Sequence, residues 1–273
     1  MKITTALAIL LLPVNLLPQA IRHAQSAAYL GPGDYSNTHV DVFSFEANQA
    51  ALVKVKTTSA GIYGEKRFLL TELGLYEAAV AVPTPSGNFG FDARYFGFSD
   101  YNESQLGLAY ARSLGTRVNL GAQFNYYHVH LSGYGNDAVV NFEVGTILKL
   151  TDKLNAGIHV YNPVGGRLGK ESHEKLGSAY SAGMGYEASP KFFLSLDIEK
   201  NENEPVDVNA GMQYKIISQL LARMGFSAAT SSVYFGIGFI WKSFRLDATA
   251  SYHPQLGITP GLLLIYNAIK EEN

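Results

Sequence analysis

Between residues 102 and 131 the chain alternates twice about a tight turn. On the first arm Leu106, Leu108 and Tyr110 share one face, with Gly107, Ala109 and Ala111 on the other. On the second arm Leu120, Ala122, Phe124 and Tyr126 oppose Asn119, Gly121, Gln123 and Asn125, and Ser113-Leu114-Gly115-Thr116 joins the two. A period of two on both arms predicts a β-hairpin, because successive strand side chains point to opposite faces. The arms are long, the apolar face is aromatic, and the same unit recurs to the end of the chain. Those features together predict a membrane barrel with lipid outside and polar groups inside.

The same pattern gives strand candidates at 57–63, 72–82, 87–98, 103–113, 116–130, 137–150, 153–161, 176–187, 190–200, 204–216, 219–227, 232–241, 243–252 and 257–267. Most are near the ~9–11 residues a tilted strand needs to cross a bilayer. The expected fold is therefore all-β, an antiparallel up-and-down transmembrane barrel of about fourteen strands. Connections at 83–88, 113–116, 150–153, 187–191, 217–219 and 241–243 are short. Those at 64–71, 99–102, 131–136, 162–175, 201–203, 227–232 and 253–256 are generally longer or more polar. Short periplasmic turns alternate with longer outer loops in such barrels, and an even strand count places both termini in the periplasm.

Parity assigns the faces. Phe89, Phe91 and Tyr95, Leu194, Leu196 and Ile198, and Phe235, Ile237, Phe239 and Trp241 are expected to meet lipid. The opposite parity carries Asp92, Arg94, Glu143, Asp197, Asp207, Arg245 and Asp247, with His159 and Tyr161 among their neighbours. Charges of both signs facing one lumen are expected to pair, since an unpaired buried charge is very costly. A lumen laced in that way is filled, which argues against a general porin.

Composition agrees. Charged residues are 16%, below the ~25% usual for soluble domains, while the chain has 27 Gly and 17 Tyr. Small inward residues and aromatic girdles use those residue types. After residue 20 no apolar run approaches the ~20 residues of a spanning helix. The net charge of −2, without a basic stripe or tail, gives no sign of nucleic acid. With no cysteine there is neither disulfide nor thiolate chemistry.

The N-terminus supplies the compartment. Lys2, an apolar run over 3–17, and the small-residue site Ala24-Gln25-Ser26 read as a secretory signal peptide spanning 1–26. Residues 27–56 do not alternate, and Glu46-Ala47-Asn48-Gln49-Ala50-Ala51-Leu52 reads as one or two helical turns. Ahead of a barrel such a segment is a plug or periplasmic lid, or else a tether. The barrel is expected over 57–268 and a periplasmic tail over 269–273.

Candidate chemistry is sparse. His128 and His130 share a strand face, where two imidazoles could hold zinc, but they continue the face of Phe124 and Tyr126 and read as interface rings without a third ligand. Gly165-Gly166-Arg167-Leu168-Gly169-Lys170 lacks the first glycine and the Ser or Thr of a phosphate loop. Glu171, Ser172 and His173 are adjacent on the same loop, a poor arrangement for a nucleophile and its base. No catalytic residue, cofactor or metal is therefore expected, and no enzyme. Lys66, Arg67 and Phe68 are candidate outer-loop contacts to lipopolysaccharide phosphates or a partner, because Arg pairs well with phosphate. Gly87, Gly90 and Gly97 are either small lumen residues or marks of a kinked wall.

From Asn48-Gln49-Ala50-Ala51-Leu52 onward the chain resembles the FadL-type barrels, and within them the PorV and PorQ branch of Bacteroidota, associated with type IX secretion. Gln49 stands where that motif has proline. Gly61-Ile62-Tyr63-Gly64-Glu65-Lys66-Arg67-Phe68, Tyr95-Phe96-Gly97-Phe98 and Gly107-Leu108-Ala109-Tyr110-Ala111-Arg112 add to the likeness. The resemblance implies an outer-membrane location, with outer-membrane lipids, lipopolysaccharide and other barrel or periplasmic subunits as partners. It also implies a plug or gate at Asn48, Gln49, Ala50 and Leu52. Two roles follow. One is a non-enzymatic accessory subunit of an outer-membrane protein export or assembly complex, favoured by the scarcity of long loops. The other is a transporter of small hydrophobic molecules.

Overall fold

The computed structural model describes residues 21, 34–166, 176–202 and 204–268. Most of the expected signal peptide, residues 27–33, the Gly-rich loop from Arg167 with Glu171, Ser172 and His173, and the tail at 269–273 lie outside them.

The alternating segments form fourteen strands. They are β1 Ser59–Lys66, β2 Gly74–Thr84, β3 Gly87–Gly97, β4 Tyr101–Leu114, β5 Val118–Leu131, β6 Gly135–Lys149 and β7 Leu154–Tyr161, then β8 Ala179–Ser189, β9 Phe192–Asn201, β10 Asp207–Ile217, β11 Leu220–Ser227, β12 Ser232–Trp241, β13 Phe244–His253 and β14 Gly257–Asn267. Each pairs antiparallel with its sequence neighbours, and β1 pairs with β14, so the sheet closes on itself. Closure leaves no strand edge unsatisfied, which a bilayer interior requires.

Exposure alternates along the strands, and most of the exposed side chains are apolar. Ile237 and Leu262 are each 62% exposed and Phe124 64%. Large apolar side chains that open, on strand after strand around the circumference, are stable in hydrocarbon and unfavourable in water. No described helix is long and apolar enough to cross a membrane.

Three strand boundaries differ from expectation by three residues, each for a local reason. Gly64, Glu65 and Lys66 continue β1, paired with β2 as far as Gly74, instead of opening a loop. β10 starts at Asp207, after Pro205, which has no N–H to give a ladder. β8 starts at Ala179, because Leu176 and Ser178 are tied to Asn162: Asn162 Nδ2 donates to the Leu176 carbonyl and Ser178 Oγ to the Asn162 carbonyl. β3 keeps one register against β2 and against β4, so its glycines mark no bulge there. The irregularities fall between Glu187 and Ser189 on β8 and between Lys215 and Ile217 on β10.

Residues 34–55 lie within the barrel, with helix α1 at Ser44–Ala47 and a 3-10 turn at Gln49–Lys54. Phe43, Phe45 and Leu52 are buried against the inward side chains Tyr63, Ala79, Ala81, Ala109, Leu263 and Ile265. The lumen wall of β14, β1, β2 and β4 is thus partly apolar, where parity alone suggested a polar interior throughout. Ile21 is also buried, and its N–H donates to Glu103 Oε2 at 3.1 Å.

Candidate functional site

The inward polar residues form two charged clusters, each completed by residues 34–55. In the first, Arg94 Nη2 stands 2.9 Å from Glu46 Oε2, and Arg94 Nε lies 3.6 Å from Asp92 Oδ2. Gln123 Nε2 donates to Asp92 Oδ1 and Asn125 Oδ1, each at 2.7 Å, and Asn125 Nδ2 donates to Glu143 Oε1 at 2.6 Å. Glu143 Oε2 accepts from Gln49 Nε2 at 2.7 Å and lies 2.9 Å from His159 Nε2. In the second cluster two carboxylates face two guanidiniums. Asp41 Oδ2 is 2.6 Å from Arg245 Nη2 and 3.5 Å from Arg223 Nη2, while Asp247 Oδ2 is 3.1 Å from Arg245 and 3.3 Å from Arg223. Gln213 accepts from Arg223 Nε and contacts His39 Nδ1.

The remaining named residues sit as follows. Asp197 Oδ1 accepts from the Tyr35 hydroxyl at 2.9 Å. Asp207 belongs to neither cluster; it caps the β11–β12 connection, accepting from Ser227 Oγ and the Ala229 N–H. Arg67 also departs from expectation. It is buried, with Nε 2.9 Å from Glu65 Oε1 and its guanidinium over the Phe96 ring at 4.7 Å, so it is not an outward contact. Phe68 is half-buried and Lys66 exposed. His130 Nδ1 lies 2.5 Å from Asn136 Oδ1, and among the described residues no three His, Asp or Glu are disposed to hold a metal.

Asn48, Gln49, Ala50 and Leu52 are all fully buried. Asn48 has an extended backbone, and its side-chain oxygen accepts from the Ala50 N–H at 3.1 Å, which starts the 3-10 turn as an N-cap does. Its Nδ2 donates to the carbonyls of Thr146 and Ile158, at 3.4 and 3.2 Å. Those two residues are register partners, so the amide lies against the seam between β6 and β7. Close approach needs glycine on the wall. Gly121 and Gly145 are partners on β5 and β6; a Cβ on the first would stand 2.4 Å from the Gln49 carbonyl carbon, and on the second 2.2 Å from Asn48 Oδ1. The Leu52 and Val55 carbonyls both accept from Asn88 Nδ2.

Tyr35 occupies a second seat of the same kind. Gly157 and Gly183 are partners on β7 and β8, and a Cβ on either would meet the Tyr35 ring, at 2.9 and 2.5 Å. On the outside of the wall at this place is an apolar groove of about 400 Å³. Leu148, Ile158, Met184, Leu196 and Ile198 line it, with Thr146, Ala156, Gly157, Ala182 and Gly183 between them. Small residues thin the wall between this groove and the lumen, and Tyr35 and Asn48 stand directly behind.

Sequence reasoning did not single out Tyr35, Asp41, Glu46 or Arg223. One signal pointed to missing cations. The lumen residues named from parity hold five carboxylates against Arg94 and Arg245, so further positive charge was required inside. Arg223 on β11 supplies part of it.

No family model and no curated protein matches the chain. Solved structures do. The Pseudomonas putida toluene transporter TodX superposes with a TM-score of 0.61 at 10% identity, covering 86% of this chain and 94% of that one. The Ralstonia pickettii toluene transporter TbuX gives 0.60 at 10% identity, over 92% and 97% of the two chains. A Pseudomonas aeruginosa FadL homologue gives 0.57 at 12% identity, over 91% and 97%. At these identities the likeness is one of fold: the chain shares its closed antiparallel barrel with FadL-type barrels.

Proposed function

We propose that this protein is an outer-membrane barrel that passes small hydrophobic molecules, with residues 34–55 as a plug that gates the passage. The observation that carries this reading is the apolar groove over β6–β9. It is open to the hydrocarbon of the bilayer, is backed by a thin wall of Gly157 and Gly183, and has Tyr35 and Asn48 of the plug behind it. A hydrophobe dissolved in lipid would enter such a groove without crossing water, and the plug side chains are placed to admit or refuse it. The fold shared with two toluene transporters supports the same reading.

In this reading the short connections and both termini face the periplasm, as barrel asymmetry favours. No catalytic step is involved. The expectation of an accessory subunit in an export complex draws no support from the structural likenesses. The finer resemblance to the PorV and PorQ branch rests on sequence motifs alone.

The test is uptake of radiolabelled toluene by cells whose lipopolysaccharide leaflet limits its entry, with and without the expressed barrel. Faster uptake with the barrel is expected. Equal rates, with the barrel folded and present in the outer membrane, would falsify the transport reading.

A further inference from the structure

Among the described residues, the connections at the two rims of the barrel carry opposite charge. Among the described residues, the six short connections hold four cations, Arg117, Lys153, Lys191 and Lys242, and one acid, Asp152. At the opposite end the described residues of the longer connections hold four acids, Glu72, Asp100, Glu202 and Glu204, and one cation, Arg67, which is buried against Glu65. Asp152 is engaged by Lys149 at 2.7 Å, which lessens its effect on the basic rim. All four basic side chains are exposed, and each lies on a different connection.

Their depth is marked by aromatic rings. Phe89 and Tyr110, Phe192 and Tyr214, and Phe244 and Tyr266 pair on the outer surface near this rim, with centroids 5.0, 6.2 and 5.2 Å apart. Trp241 joins them, with Lys242 Nζ 5.3 Å from its ring centre. Aromatic side chains at the end of an apolar belt sit at the headgroup boundary. Lys191 and Lys242, each next to one of these rings in sequence, therefore stand at the level of lipid phosphates, and Arg117 and Lys153 lie on connections of the same rim. The four cations are distributed over four connections around the circumference, which matches an annulus of lipid; one protein partner would call for a single patch.

We propose that the short-connection rim is a binding surface for anionic phospholipid headgroups, those of the periplasmic leaflet. Each ammonium or guanidinium pairs with a phosphate diester, and salt screens the attraction. The acidic rim repels the same headgroups at the other end, so the charge pattern also favours one direction of insertion. The proposal rests on the reading of the chain as an outer-membrane barrel and is independent of what passes through it.

The test uses the full-length mature protein in nanodiscs of equal phosphatidylglycerol and phosphatidylcholine, with retained lipids counted by native mass spectrometry. Enrichment of phosphatidylglycerol by about fivefold at low salt is expected, the preference one surface cation gives a singly charged headgroup. A combined R117Q, K153Q, K191Q and K242Q variant should lose the enrichment while keeping the gel shift of a folded barrel and its toluene uptake. Equal retention of the two lipids by wild type, or enrichment that survives the four substitutions, overturns the proposal alone. If the variant does not fold, a salt titration of wild type decides: enrichment that added salt leaves unchanged overturns it. Protein that cannot enter the nanodisc at all overturns both this proposal and the membrane reading beneath it.

Discussion

Arg245 Nη2 lies 2.6 Å from Asp41 Oδ2, joining strand β13 of the wall to the segment inside the lumen. With Arg223 and Asp247 the pair forms a buried group of two cations and two anions. Its net charge is zero only while Asp41 is in place. The wall is held by its own closed hydrogen-bond ladder, so the energy of this cluster bears mainly on how the segment docks.

Asp41→Asn should therefore loosen the segment without unfolding the barrel. Removing one partner of a buried ion pair costs ~3–5 kcal/mol, most of it from the charge left behind. Single-channel recordings in planar bilayers should show larger or more frequent openings than wild type. Identical recordings would mean that the cluster does not hold the segment.

Acid should act on the same residue. Burial alone would raise the Asp41 carboxyl, but the Arg245 and Arg223 guanidiniums outweigh it and hold the group below its ordinary 3.8. A depressed carboxyl contributes stability that is fully present above its unfolded value and is lost as pH falls through its lower folded value. Wild-type conductance attributable to Asp41 should stay flat as pH is lowered to 3.8 and rise only below it. The Asp41→Asn variant should lack that rise. A wild-type transition well above 3.8 would assign the opening to another group.

Gly121 and Gly145 give a steric test of the same docking. A Val at either position would push its branched side chain into Asn48, Gln49 or Ala50, which already stand within 2.2–2.6 Å of a Cβ. Overpacking typically costs ~1–3 kcal/mol, and here the docked turn can give way more easily than two strands bonded on both edges. Gly145→Val should leave heat-modifiable mobility on gels intact and make the 34–55 region more open to added protease. Unchanged protection would show that Asn48 accommodates the side chain.

The wall was legible from the sequence because a strand has period two and a lipid-facing strand must be apolar on every second residue. All fourteen elements follow from that rule, and so do the inward positions of Asp92, Arg94, Glu143, Arg245 and Asp247. Residues 34–55 have no such rule. Their contacts are long-range: Tyr35 reaches Asp197 and Asp41 reaches Arg245 across the barrel. Parity says which way Arg94 points but not that Glu46 meets it. Arg67 was misplaced because β1 runs on through Lys66, beyond the expected loop boundary at Gly64. The register partners Gly121–Gly145 and Gly157–Gly183 are visible only once strands are paired.

Ile237 tests the outward face. Its side chain is 62% exposed on β12, between Phe235 and Phe239. Ile237→Arg would set a charge in the hydrocarbon, which costs ~2–4 kcal/mol near the bilayer midplane and much less at the interfaces. Denaturant titration of refolding into lipid vesicles should show that loss, whereas Ile237→Phe should be nearly neutral. If Arg is tolerated as well as Phe, the outer surface of β12 does not face lipid.

Tyr35 tests the passage itself. Its ring stands behind Gly157 and Gly183, and its hydroxyl donates to Asp197. Tyr35→Ala removes the ring that backs the glycine-thinned wall between the outer groove and the lumen. Tyr35→Phe keeps the ring and loses the hydrogen bond. If the ring is the barrier, toluene uptake should rise several-fold in the Ala variant and stay near wild type in the Phe variant. If the hydrogen bond to Asp197 is what holds the gate, both variants should rise together. A folded Ala variant with wild-type uptake would remove Tyr35 from the path and leave the seam at Asn48 as the place to look.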